Sequence, residues 1–312
     1  MTGRQDAASP VWPDAKPIGL GCMALTGVYG HVDPPTAIAT VHAALDTGIE
    51  HFDTAELYGP FRNEEVLASA LGDSSGRITI ATKFGYRLDG GRIAGLDSRP
   101  EALRSAVEGS LRRLKRDTID LLYQHRPDPN VPVEDVVGAM SDLVRAGKVR
   151  WLGLSATDAP TLRRGHAVHP ISAIQNEYSL LERGPESALL EEAARIGAAF
   201  VAYSPLARGR LSGPATTASV RPADDHRRTD SRFADDALAV ARPIVDVVSA
   251  IGAERRVAPA AIALAWLLSR RPNIRVIPGA RNPTQVRSLI AAQHLQLSKD
   301  ELERLSRALA AK

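Results

Sequence analysis

A chain of 312 residues, with 44% hydrophobic and 24% charged residues, has the make-up of a globular protein with enough apolar material for one large core. Its single cysteine, Cys22, excludes an intrachain disulfide and a cysteine-built zinc site, and suits a reducing, cytoplasmic compartment. The net charge of +3, without a long Lys/Arg block, argues against a nucleic-acid partner. The opening residues lack a signal-peptide h-region and no apolar run has bilayer length, so neither export nor a membrane partner is expected.

Taken in chain order, short apolar or β-branched runs alternate with segments of helical periodicity. A strand over 18–22 is followed by a helix over 34–47, a strand over 49–53, a helix over 63–71 and a strand over 78–83. Next come a helix over 100–114, a strand over 119–124, a helix over 133–146, a strand over 149–155 and a helix over 159–168. The series continues with a strand over 171–175, a helix over 185–196 and a strand over 199–204. An extra helix over 234–252 precedes one over 259–269, the last strand over 274–278 and a further segment over 283–292. Gly48, Gly72, Gly147 and Gly197 stand at helix stops. A closing helix over 299–309 begins with Ser298 and Glu301 spaced as a capping box. Strict strand–helix alternation implies right-handed crossovers and a parallel sheet. Eight strands predict a closed (β/α)8 TIM barrel forming a single domain over 1–312, with an open doubly wound sheet as the competitor. The polar, proline-bearing segment 209–233 after strand seven reads as a lid-like loop, and 1–14 as flexible.

In such a barrel, chemistry gathers at the C-terminal ends of the strands. Asp53 ends strand two and leads to Tyr58; Lys83 ends strand three and His125 follows strand four. A lysine ending a buried strand needs compensation, which Asp53 offers, and a cation beside a phenol favours the phenolate. Lys83 and Asp53 would thus lower the pKa of Tyr58 so that it exchanges a proton, while His125 orients a carbonyl oxygen. These residues supply no hydride, so a cofactor is needed. Each also has a plain structural reading, Lys83–Asp53 as an ion pair and Tyr58 as a rim aromatic.

The stretch His51-Phe52-Asp53-Thr54-Ala55-Glu56-Leu57-Tyr58-Gly59 closely resembles a signature of the aldo-keto reductase superfamily. So do Ile80-Ala81-Thr82-Lys83-Phe84-Gly85, Leu121-Leu122-Tyr123-Gln124-His125-Arg126, the segment from Gly147 to Ser155, Gln175-Asn176-Glu177-Tyr178-Ser179 and Tyr203-Ser204-Pro205-Leu206. The chain is most similar to bacterial members with a Gln-His-Arg strand end and an Asp-Asp-x-Arg-Arg lid, here Asp224-Asp225-His226-Arg227-Arg228. The resemblance implies NADPH-dependent reduction of a small carbonyl substrate, with Tyr58 as general acid, tuned by Lys83 and Asp53, and His125 orienting the carbonyl. It also implies that Ser155, Gln175 and Asn176 hold the nicotinamide carboxamide of NADPH/NADP+ and that Tyr203 stacks on the ring. Ser204, Leu206 and Gly279 would line the cofactor, with Arg281 at its 2′-phosphate and Gln285 at the adenine or the phosphate.

Two departures stand out. Ser288-Leu289 replaces a Glu-Asn pair carried by many relatives near the adenine, and Ala156 follows Ser155 where a polar residue is common. Met23, Tyr29, Phe84 and Tyr86, with Trp12 or Trp151, are the substrate-pocket candidates, and Cys22 reads as a buried hydrophobe within strand one. No metal site is expected, because no His-x-His follows strand one. Two other roles stay open at this point: a Schiff-base lysine enzyme using Lys83, and an NADPH-binding regulatory subunit with little turnover.

Overall fold

The computed structural model describes residues 12, 16–72, 78–213, 217 and 221–310. The segment 1–14, expected to be flexible, lies outside the described residues except for Trp12, whose side chain is buried.

In chain order the elements are β1 (Leu20–Gly21), α1 (Pro34–Asp46), β2 (His51–Asp53), α2 (Arg62–Leu71), β3 (Thr79–Phe84), a hairpin of β4 (Tyr86–Asp89) and β5 (Arg92–Leu96), and α3 (Pro100–Leu114). They continue with β6 (Ile119–Gln124), α4 (Val133–Arg145), β7 (Val149–Ser155), α5 (Ala159–Val168), β8 (Ala173–Glu177), α6 (Leu189–Arg195) and β9 (Ala199–Tyr203). The last elements are α7 (Asp235–Arg255), α8 (Pro259–Arg270), β10 (Ile274–Val276), α9 (Pro283–Ile290) and α10 (Lys299–Ala310).

Eight parallel strands lie in the order β1-β2-β3-β6-β7-β8-β9-β10. Parallel bridges of Ile18 with Val276 and Gly21 with Gly279 join the two ends. Gly19 N donates to Val276 O at 2.9 Å and Gly21 N to Pro278 O at 3.0 Å. The sheet therefore closes into the predicted (β/α)8 barrel, and the open doubly wound alternative falls away. Most strand residues are buried on both faces, which is why the strands read as nearly continuous apolar runs. Outward residues such as Ile80, Leu122, Leu152, Ile174 and Phe200 pack in the main core with the helices. Inward residues Ala81, Leu121, Tyr123, Ala173 and Val201 form a second cluster that includes Trp12. A side chain at Gly153 would meet the Tyr123 ring at 2.4 Å, so the inner wall needs glycine there to admit the phenol.

Trp12 meets His51, the first residue of β2, edge to face at 4.6 Å. Burial pushes the His51 imidazole down to about 4 against the pull of Asp53, so the ring packs in its neutral form. Trp12 thus fills the N-terminal mouth of the barrel, away from the strand ends that carry chemistry, and its expected place in a substrate pocket is corrected.

Three further readings change. Cys22 does not lie within the first strand but opens a 3-10 turn, Cys22–Thr26. The helix expected over 185–196 is split into a 3-10 turn, Gly184–Ser187, and the short α6. The β4–β5 hairpin was not foreseen; it turns on Gly90 and Gly91, both at positive φ, which only glycine adopts freely. The capping box holds: Ser298 N donates to Glu301 Oε2 at 2.6 Å and Glu301 N to Ser298 Oγ at 3.3 Å. Among the described residues no helix is long and apolar enough to cross a membrane.

Removing the indole that closes the barrel floor leaves a void among the inward residues. Trp12→Ala is expected to lower the unfolding free energy by about 3 kcal/mol, read from the midpoint of a denaturant titration. An unchanged midpoint would show that Trp12 contributes no packing.

Candidate active site

The strand ends bring one buried charge pair together. Asp53 is the last residue of β2, and Lys83 lies near the end of β3, two residues beyond the register partner of Asp53 and on the same face. Lys83 Nζ donates to Asp53 Oδ1 at 2.5 Å and to the Thr54 carbonyl at 2.8 Å. The side chains are 1% and 3% exposed, so water does little to solvate either charge. Gln175 Nε2, from β8 across the barrel, donates to Asp53 Oδ2 at 2.6 Å. Both carboxylate oxygens are thereby held, and the third donation of Lys83 goes to Tyr58 Oη at 3.4 Å.

These contacts set the protonation states. Burial opposes charge on Lys83, yet Asp53 and the Tyr58 oxygen prevail and its pKa is raised, so it is an ammonium at neutral pH. For Tyr58, burial raises the pKa and Lys83 lowers it; the balance is upward. The expectation that Lys83 would bring Tyr58 below its ordinary value is thus corrected for the unliganded site. Lys83 limits the rise and does not reverse it, so Tyr58 holds its proton through the neutral range. His125 follows β6 and packs edge to face against Tyr58 at 5.8 Å and Tyr86 at 5.0 Å. Burial, then Lys83 and Arg126, hold its imidazole well below the ordinary value, so it is neutral. Its Nδ1 is buried without a hydrogen-bond partner.

A cleft of about 210 Å³ opens over this group at the C-terminal end of the barrel, lined by Asp53, Tyr58, His125, Ser155, Gln175 and Tyr203 together with Met23, Tyr29 and Tyr86. It runs on into a second cleft lined by Leu206, Gln285, Ser288, Leu289 and Arg281, and the two share Ala24, Tyr29, Ser204, Arg208 and Gly279. The joined trench therefore contains most of the residues singled out in the sequence. Three candidates fall elsewhere. Phe84 faces the outer core and is buried. Trp151 packs against the inward cluster around Trp12. Asn176 lines a neighbouring cleft at the start of α5, with Ala156, Thr157 and Asp158, and its Nδ2 donates to Thr157 O at 2.9 Å. Arg126 and Arg208 line the main cleft, although the sequence reading gave neither a role. The signal for Arg126 was present, since it completes the Gln-His-Arg motif; Arg208 carried no signal of its own.

At the far end, Asn282 caps α9 by accepting from Gln285 N at 3.0 Å, and Arg281 N donates to Gln285 Oε1 at 2.7 Å. The Arg281 guanidinium reaches the His31 carbonyl at 3.1 Å, with its Nε buried and unpartnered. Ser288 Oγ donates to Gln285 O, so its hydroxyl belongs to α9. The loop after β9 meets the loop after β1: Tyr29 pairs antiparallel with Asp225, and Asp224 accepts from His31 N at 2.7 Å. Arg227 pairs with Asp225 and lies 4.7 Å over the Tyr29 ring. Arg208 pairs with Asp230, and Arg232 with Glu177. Of the lid-like segment 209–233, residues 214–216 and 218–220 lie outside the described residues. Among the described residues no cluster of His, Cys, Asp or Glu could hold a metal ion.

A closed α/β barrel with a Tyr–Lys–Asp–His group at its strand ends defines a barrel oxidoreductase, and comparison with known proteins agrees. The chain matches the aldo/keto reductase family over residues 17–310. It is 35% identical to a probable aldo-keto reductase 1 from Glycine max over 298 residues, which cover 95% of this chain and 86% of that protein. Its fold is similar to a glycerol dehydrogenase from Gluconobacter oxydans, with a TM-score of 0.88 and 31% identity over 97% of this chain and 94% of the other. It is also similar to an aldo/keto reductase from Klebsiella pneumoniae solved in complex with NADP and acetate, with a TM-score of 0.73 and 27% identity over 94% and 91% of the two chains. The protein belongs to the aldo/keto reductase family.

The coupling inside the charge pair is open to a stability test. Asp53→Leu leaves Lys83 as an uncompensated buried cation and should cost about 3–5 kcal/mol. The double variant Asp53→Leu/Lys83→Met should recover most of that loss in a double-mutant cycle. Additive losses would show that the two side chains act independently.

Proposed function

We propose that the chain reduces a small aldehyde or ketone to the alcohol with NADPH, and that Tyr58 is the proton donor. The observation that carries this reading is the convergence of Tyr58, Asp53 and His125 on one cleft, with Lys83 bonded to Asp53 and Tyr58 so that a protonated phenol stands beside a fixed ammonium.

The trench fits an extended dinucleotide. The two clefts are continuous through Ser204 and Gly279, and a Cβ at Gly279 would stand 3.4 Å from Ala24 Cβ and 3.5 Å from Gly21 O, narrowing the passage between them. Ser155 and Gln175 would hold the nicotinamide carboxamide, the Tyr203 ring would offer a stacking face, and Ser204 and Leu206 would follow the middle of the cofactor. Arg281 and Gln285, at the start of α9, would take the 2′-phosphate. Asn176, turned toward Thr157, has no part in this set.

When bound, NADPH supplies the hydride. The carbonyl oxygen receives the electron pair of the breaking π bond and is protonated by Tyr58 Oη. His125, neutral, donates a hydrogen bond to the same oxygen and fixes its direction. Lys83 stabilises the phenolate left behind, and Asp53, held by Gln175, keeps Lys83 charged and aimed. That charge also disfavours the Schiff-base role, which needs a neutral amine with a free electron pair.

Tyr58→Phe is expected to lower carbonyl reduction by at least about 10³-fold while NADPH still binds by fluorescence; unchanged turnover would remove Tyr58 from the mechanism. Because the Tyr58 pKa is raised, its acid form persists below that value and is lost only above it. Reduction should therefore stay flat across neutral pH and fall in alkali, while oxidation of the alcohol, which needs the phenolate, should rise with pH. A reduction profile that falls between pH 6 and 8, roughly the span in which an imidazole ordinarily titrates, would contradict the assignment. Arg281→Ala should raise KM for NADPH by about tenfold or more and leave KM for NADH nearly unchanged. Equal effects would rule out a 2′-phosphate contact.

A further inference from the structure

Outside the catalytic group, the arginines in and around the main cleft differ in how their charges are balanced. Arg208 pairs with Asp230, Arg227 with Asp225 and Arg232 with Glu177, so those charges are spent on holding the loops. Lys83 is committed to Asp53. Arg126 is different. It is half-buried in the wall of the cleft, immediately after His125, and its partners are the phenol groups of Tyr203 and Tyr86, with its guanidinium 5.7 Å from the Tyr203 ring. Among the described residues no carboxylate pairs with it.

Its position within the trench points to substrate and not to cofactor phosphate. Arg126 lines the half of the trench that contains Tyr58 and His125 and is absent from the half that contains Arg281 and Gln285. It is close enough to lower the pKa of both Tyr58 and His125. A guanidinium cannot shed its proton, so a partly desolvated one without a counter-charge favours an anion beside it. The planar fork matches a carboxylate through two parallel hydrogen bonds, which are both strong and directional. Tyr86, at the root of the β4–β5 hairpin, and Tyr203, at the end of β9, line the same cleft beside the guanidinium.

We infer that Arg126 is a specificity-determining residue that binds a carboxylate on the substrate, making carbonyl compounds that carry a carboxylate the substrate class of this site. The inference rests on the reduction proposed above. The hydride goes to the carbonyl carbon and the Tyr58 proton to its oxygen, giving a hydroxy acid, while the substrate carboxylate is unchanged and stays on Arg126.

The experiment compares glyoxylate and succinate semialdehyde with their methyl esters, which keep the aldehyde and remove the charge, using the full chain and NADPH. Wild type should favour each acid over its ester in kcat/KM by about tenfold or more. Arg126→Met should lower kcat/KM for the acids by about 50-fold and for the esters by much less, so that the preference for acid over ester is lost. Arg126→Lys, which retains the charge without the fork, should fall between the two. Equal losses for acids and esters, accompanied by weaker NADPH binding, would show that Arg126 acts through Tyr203 and would overturn the inference. So would a wild-type preference for the esters. If wild type reduces neither acids nor esters nor any simple aldehyde, it is the proposed reduction itself that fails.

Discussion

The site depends on one costly arrangement, a lysine ammonium and an aspartate carboxylate facing each other inside the barrel with almost no contact with water. Neither charge is stable there alone. Lys83 requires Asp53 and the Thr54 carbonyl, and Asp53 requires Lys83 and the Gln175 amide, which comes from a strand on the other side of the barrel. The pair spans adjacent strands, and its position is set by the register of β2 against β3. The closed sheet therefore acts as the template for the charges. Once they are fixed, the Tyr58 oxygen lies within reach of an ammonium that cannot turn elsewhere. A buried pair of this kind contributes little net stability and is better understood as a positioning device.

Around that rigid centre the binding surfaces are contributed by loops. The trench is walled by the turn after β9, the start of α9 and the loop after β1, and the lid segment fastens across to Tyr29 and His31. Ser204, Ala207 and Arg208 all have positive φ, a conformation that L residues adopt at some cost. This strained turn carries Ser204 and Arg208 to the place where the two clefts meet. The same division places the chemistry on strand ends and selectivity on the β4–β5 hairpin and the loops, where Arg126, Tyr86 and Tyr203 gather.

Much of this was legible in the sequence because barrel strands announce themselves by short buried runs and helices by their caps. The polar residues that end those runs, Asp53, Lys83, His125, Ser155 and Gln175, were visible for the same reason: nothing apolar could explain them. What was hidden depends on contacts distant in sequence. The hairpin turns on Gly90-Gly91, but its strands are short and mostly exposed, and only Tyr86–Asp89 alternates apolar with polar residues. Trp12 reads as part of a polar tail until its packing against His51 is seen. The donation from Gln175 to Asp53 links residues 122 apart and has no sequence signature. Asn176 follows Gln175 in the motif, yet strand alternation turns it to the other side, toward Thr157. The sign of the Tyr58 shift is not legible in the sequence, because a charge is evident there and the depth of burial is not.

The central claim is that Tyr58 keeps its proton because of burial, while Lys83 restrains how far its pKa rises. It is tested most directly by an ultraviolet difference titration of wild type against Tyr58→Phe, which isolates the ionisation of that one phenol. The account predicts a titration above the ordinary tyrosine value of about 10, displaced further upward in Lys83→Met, where Asp53 remains without its cation. A Tyr58 signal below the ordinary value, or one that does not move when Lys83 is replaced, would contradict it.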